Sequence, residues 1–309
     1  MASSSTSKPE AVVLWAPVLL ALLFYVAFPM AGAFVVRGGW RGLRRWLTAA
    51  AASPVVTFRA LQEYRNDSGP FRLIGSLEAF EGRDTLWIGN EQVSVQVRIR
   101  GVEVYFLEHP DEGGSPQEPP RKVNWTNLGV LPEGTRFLIW GYLSTSSPIP
   151  LFESKPGKPL LVLAFHGDET TVLERTLRDS RQVIEHWNPV TPISLLVGFG
   201  TLLLVAYWEL RFPGSRALGL SALALALLPS TFFLPPGIFL FYWFSKLWAE
   251  SRTLRATRDV LRFRGDAPEK ALSCGLHARR LEILAHAVLA AGAGLNVFLL
   301  VTLLRLTIL

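Results

Sequence analysis

Apolar positions follow two rhythms along this chain: long unbroken runs towards both ends, and an alternation with polar positions that begins near Phe71. A helix needs about 20 apolar residues to cross a bilayer, and four stretches qualify. The first, 11–36, carries no charge and holds Pro17 and Pro29 as expected kink points. The second, 192–211, has Tyr207 and Trp208 near its end, residues that favour the membrane interface. The third, 217–248, is overlong and contains Pro229 and Pro235-Pro236-Gly237, which predicts one broken span or a span followed by a half-helix. The expected count is therefore four or five. The fourth, 283–309, spaces Ala290 and Gly294 four apart, a small face suited to close helix contact and to a protein partner or a second copy.

Between the first two spans the pattern changes. After a tail (1–10) and the first span comes a basic segment, 37–65, whose alanine-rich part from Trp46 to Gln62 predicts an interfacial helix broken at Pro54. From Phe71 the period is two: Val93, Val95, Val97 and Ile99 alternate with Ser94, Gln96, Arg98 and Arg100, a half-buried strand that ends in a turn or bulge at Gly101. Residues 109–121 hold four prolines and predict a mobile loop. Strands resume at 135–143 and 159–165. A helix is then expected from Asp168, as its cap, to Trp187, with Leu173, Leu177 and Ile184 on one side and a Glu174–Arg178 pair on the other. The fold class that follows is a multi-pass α-helical membrane protein with an inserted small antiparallel β-domain, 66–187, of five or six strands in an OB-like barrel or a sandwich, plus one helix.

Composition supports a membrane protein: 50% of the 309 residues are apolar, 18% are charged and the mean hydropathy is +0.29. The single cysteine, Cys274, excludes a disulfide within the chain and any site built on several thiolates, including a RING. A net charge of +6 suggests nucleic acid until it is divided by region. Residues 66–187 carry 12 basic and 17 acidic side chains, while the rest of the chain carries 19 and 8. The positive charge thus flanks the apolar runs, where orientation and anionic headgroups account for it, and no nucleic-acid partner is expected. Arg37, Arg41, Arg44 and Arg45 follow the first span, against Lys8 before it, and nine basic residues lie between the third and fourth. Both loops place the β-domain on the cytoplasmic side of a plasma or inner membrane, with the termini outside. The alternative puts the domain outside: Ala31-Gly32-Ala33 imitates a signal-peptidase site, and the sequons at Asn66 and Asn124 would then matter. The length of the apolar run and the four arginines after it argue against cleavage.

The succession Gly134-Thr135-Arg136-Phe137 leading to Gly141, then Lys158-Pro159-Leu160-Leu161-Val162-Leu163, then a charged helix and directly a span, resembles the intermembrane domain of GIDE-type membrane-anchored ubiquitin ligases and their relatives without a RING. The resemblance covers about 70–210 and is one of layout. It implies a domain facing away from the cytosol, and with one cysteine it implies no ligase activity.

Candidate chemistry is sparse. His166, Asp168 and Glu169 gather an imidazole and two carboxylates at a strand–helix junction, where acid–base or metal chemistry is conceivable, although capping and the helix dipole explain both acids. Cys274 with His277 is half a metal site without a second half, and His109 with Asp111 and Glu112 falls in the loop; no metal or cofactor is expected. The segment 249–280 places Arg252, Arg255, Arg258 and Arg262 in one stripe, which predicts an amphipathic helix on anionic lipid headgroups or an acidic partner, the β-domain included. Asn296 near the middle of the fourth span and His286 near its start are each a candidate site because an unpaired polar group in lipid is costly. The expected function is a membrane-anchored binding or assembly module without catalytic activity. The alternative is a membrane enzyme or a transporter subunit that uses His166, Asp168 and Glu169 or Asn296.

Overall fold

The computed structural model describes residues 8–62, 69–82, 84–107, 118–124, 126, 134–144, 149–212, 216–231, 235–265 and 267–308. It divides into two compact units, one of residues 40–183 with 255–274 and one of residues 1–39, 184–254 and 275–309.

The first unit is built on a sheet of nine strands: β1 (Phe71–Glu81), β2 (Thr85–Gly89), β3 (Ser94–Arg98), β4 (Val104–Leu107), β5 (Arg121–Val123), β6 (Arg136–Gly141), β7 (Leu143–Ser144), β8 (Leu151–Glu153) and β9 (Leu161–Phe165). Their order is β5-β4-β9-β6-β1-β2-β3-β8-β7. Among the described residues the sheet ends at β5 and β7 and does not close. The expectation of five or six antiparallel strands is therefore corrected: nine strands are present, and β3–β8 and β4–β9 run parallel. The additional strands are two or three residues long, too short for a period to show, and the parallel pairs join segments far apart in sequence.

Alternation along the strands sorts side chains onto two faces. Phe71, Leu73, Leu86, Ile88, Val95, Val97, Phe137, Ile139, Val162 and Ala164 form one core. Leu138, Trp140, Leu161, Leu163 and Phe165 point the other way and pack under helices, against Leu43, Leu47 and Ala50 and against Val172, Leu173 and Leu177. Strand β9 is covered on both faces and all five of its residues are buried, which is why it reads as a continuous apolar run. Where β1 crosses β2 the chains approach closely. A β-carbon on Gly75 would lie 2.2 Å from the Gly89 carbonyl oxygen, so only glycine fits there.

Leu43, Leu47 and Ala50 belong to α2 (Phe28–Ala52), which continues from the first apolar run without a break. The expected interfacial helix from Trp46 is thus the end of that helix, and its apolar stripe is spent on the sheet. A short α3 (Phe58–Gln62) follows. Helix α4 is limited to Val172–Asp179. The expected helix to Trp187 gives way after Asp179 to turns, and Ile184 is exposed.

In the second unit α1 (Lys8–Leu22) joins α2 through a π-helical turn, Leu23–Ala27. The turn precedes Pro29, whose ring nitrogen cannot donate back to the helix, and π-turns absorb such a defect. Helix α5 (Val190–Leu210) lies across it: the Ser194 hydroxyl donates to the Phe24 carbonyl, and a β-carbon on Gly198 would come within 2.6 Å of Phe24 Cβ. Ala21, Leu202 and Ala226 form a small core there. Helix α6 (Arg216–Thr231) and helix α7 (Pro235–Arg264) are bent by 53° from each other across the proline break, and α8 runs from Pro268 to Ile308. Trp15–Ala52, Val190–Leu210 and Pro268–Leu303 are long and apolar enough to cross a membrane, and the bent pair makes a fourth if it counts as one span. Their outward faces carry residues such as Leu196, Leu204, Phe239 and Phe298, the composition that a lipid environment requires.

Candidate functional site

The junction after β9 holds the three residues singled out for chemistry. His166 Nε2 lies 3.2 Å from the Thr135 hydroxyl, its ring meets Phe106 edge-on at 5.7 Å, and its carbonyl accepts from Arg175 Nη1 at 3.2 Å. Asp168 caps a turn rather than the helix: its Oδ1 accepts from the Thr170 N–H at 3.1 Å, and the Thr170 hydroxyl and N–H hold its carboxyl below the usual range. The helix itself starts after Thr171, which makes no side-chain cap. Glu169 is ion-paired with Arg136. Each of the three is thus tied to a different neighbour in the contacts described. No group of three or more metal-binding side chains occurs among the described residues. His109, Asp111, Glu112 and the sequon at Asn66 lie outside the described residues.

The arginine stripe sits on α7 together with the second half of the third apolar run, so that half and the expected amphipathic helix are one element. It is not an open basic face. Arg252, Arg255 and Arg258 are half-buried and Arg262 is exposed. Arg258 forks onto its neighbour Asp259 at 2.9 and 2.7 Å, and Arg181 Nε donates to the other carboxylate oxygen at 2.6 Å. Asp259 is therefore held between two guanidiniums with only 12% of its side chain exposed. Five residues on, Arg264 grips Glu174 with two hydrogen bonds of 2.7 and 2.5 Å. Arg178, the expected i,i+4 partner, still acts on Glu174 electrostatically, while Arg264 presents a two-pronged donor to the carboxylate. The Arg264–Glu174 pair joins α7 to α4, and the Arg181–Asp259 pair joins α7 to the turn just after α4, both made largely by residues outside the stripe.

Two further charges in this region carry no signal in the sequence pattern. Arg44 is buried, with Nη1 3.4 Å from the Ser180 carbonyl. Asp179, at the end of α4, is buried, and desolvation pushes its carboxyl up to about 6 despite the pull of Arg175 and Arg178.

On α8, Ala271, Ala278, Ala285 and Gly292 are buried at seven-residue spacing, the repeat of a left-handed helix seam. The Ser251 hydroxyl of α7 donates to the Ala278 carbonyl at 2.8 Å, and a β-carbon on Gly292 would come within 3.2 Å of Leu240 Cβ. Ala290 and Gly294, the small face expected to meet a protein partner or a second copy, are exposed. Asn296, one turn beyond Gly292, is 0% exposed, and neither its oxygen nor its nitrogen has a hydrogen-bond partner among the described residues. His286 has Nδ1 2.7 Å from the Glu282 carbonyl. Comparison with protein-family models, with curated proteins and with solved structures finds no match to this chain.

Proposed function

We propose that the chain is a multi-pass membrane protein that presents its nine-stranded domain at the cytoplasmic face as a binding or assembly module and performs no catalysis itself. The observation that carries this reading is the position of the domain in the chain: apolar helices of spanning length precede it directly and follow it within a few residues, so both ends of the domain are tethered to the bilayer. The arginines after the first span and before the fourth favour the cytoplasmic side. The local engagement of His166, Asp168 and Glu169 supports a structural role for each. Anionic headgroups are the partners best suited to Arg41 and Arg45, which are exposed on α2 just past the apolar run.

A second reading, a subunit of a larger membrane complex or transporter, is favoured by Asn296. A carboxamide enclosed without a partner is costly in an apolar bundle unless something supplies one.

The test is labelling with a membrane-impermeant maleimide in a Cys274→Ser background carrying Glu91→Cys, a site exposed in the turn between β2 and β3. Reaction only after permeabilisation supports the cytoplasmic module; reaction in intact cells places the domain outside and removes the proposal. His166→Ala should leave the set of proteins crosslinked to the domain unchanged.

A further inference from the structure

Three rings from three segments meet just before α5. His186 lies 5.1 Å from Trp248 of α7 and 6.1 Å from His286 of α8, and Trp248 lies 5.2 Å from His286, measured between ring centres. Phe244, one turn before Trp248, stacks on it at 5.9 Å, so α7 contributes two uncharged rings. The His186 backbone and the His286 ring are held from behind. The Thr191 hydroxyl donates to the His186 carbonyl at 2.7 Å, and His286 Nδ1 faces the Glu282 carbonyl at 2.7 Å. A carbonyl oxygen can only accept, so Nδ1 of His286 carries a proton in either charge state, and any further proton goes to Nε2.

The charges facing His186 are few. α2 supplies Arg37, the turn itself supplies Glu185, and α8 supplies His286. Arg37 and Glu185 form an ion pair at 3.5 Å and largely offset each other. Burial holds the His186 imidazole below its ordinary 6.5, His286 and Arg37 act in the same direction, and Glu185 opposes them.

We propose that the His186–Trp248–His286 cluster is an acid-operated latch: with a neutral His186 ring it packs the turn 184–189 onto α7 and α8, and protonation of His186 releases that turn. An imidazolium at His186, half-buried against the Trp248 and His286 rings and beside Arg37, is desolvated and repelled where a neutral ring packs. The sign follows from the lowered value for His186. The closed arrangement is fully favoured above about pH 6.5 and weakens as the pH falls through the lowered value.

Hydrogen–deuterium exchange of the full chain in lipid nanodiscs tests this directly. Peptides covering 184–191 and 283–290 should exchange about tenfold faster at about pH 5 than at about pH 7.5 after correction for the chemical rate. The double variant His186→Gln, His286→Gln should show no such change. A wild-type chain whose exchange ignores pH, or a double variant that keeps the response, overturns the latch. Should the double variant not fold, imidazole NMR of the wild-type chain decides: His186 titrating at or above its ordinary 6.5 overturns the proposal, and a value below it that rises in His286→Gln supports it. These readings are local, so they stand apart from the question of which side the β-domain faces.

Discussion

Asn188 occupies the space above Gly32. Its Nδ2 donates to the Pro29 carbonyl at 3.2 Å, and a β-carbon on Gly32 would come within 2.3 Å of its Oδ1. The carbonyl is exposed to this contact because it lies just past the π-helical turn, and the same side chain accepts from the Val190 N–H at 3.0 Å at the start of α5. One carboxamide thus closes a helix start and bridges it to α2.

Gly32→Ala should therefore displace Asn188 and destabilise the helical unit by about 1–3 kcal/mol, the usual cost of overpacking. In the background of Asn188→Ala the same substitution should cost far less, and a thermal-unfolding double-mutant cycle in detergent reads the coupling. Additive effects would mean that the two residues do not share this space.

Asp259 and Glu174 each meet an arginine from another segment, but their surroundings differ. Asp259 and Arg181 have 12% and 18% of their side chains exposed, whereas Arg264 has 52%. Removing one partner of an enclosed pair strands the other charge, so Asp259→Ala should cost about 2–4 kcal/mol. Arg264→Ala, at a solvated pair, should cost at most about 1 kcal/mol. Chemical denaturation followed at the tryptophans in the sheet unit separates the two, and equal losses would contradict the difference in burial.

How much of this was legible depends on the kind of information each feature uses. Spans of about 20 apolar residues and the alternation through Val93, Val95 and Val97 are local, and they appear where expected, in α5 and in β3 with its flanks. Pairings between distant segments are not local. Nothing near Leu151 marks it as a parallel neighbour of Gln96, and nothing near Glu174 announces Arg264. The seam of α8 is non-local for a related reason. The Ala290–Gly294 pair satisfies a four-residue rule, but the seam against α7 follows the seven-residue series Ala271, Ala278, Ala285 and Gly292, which is visible only once the partner helix is known. His166, Asp168 and Glu169 were correctly grouped by the chain, yet adjacency in sequence left each to find its own partner in space.

Asp179 makes a pH prediction with a definite sign. Its carboxyl titrates at about 6 in the folded chain against an ordinary 3.8, so the folded state holds the proton more tightly. The stabilisation this gives is fully present below about pH 3.8 and is lost as the pH rises through about 6. Asp179→Asn keeps the shape without the charge, and its denaturation midpoint should fall less than the wild-type midpoint between those limits. Parallel pH profiles for the two proteins would show that Asp179 does not titrate in this window.

Asn296 offers the sharpest test of whether α8 acts alone. Within the chain its carboxamide is fully enclosed and unpartnered, so replacing it with leucine removes a desolvated polar group and adds apolar contact. If the chain is self-sufficient, Asn296→Leu should raise stability by about 1–2 kcal/mol, read as a higher unfolding midpoint in nanodiscs. If a ligand or a second helix supplies the missing hydrogen bonds, the same substitution should lower the midpoint measured with that component present and leave the isolated chain more stable. The pair of measurements, with and without components co-purified from native membranes, distinguishes a residue tolerated inside a bundle from one kept for a partner, because only the second changes sign between the two samples.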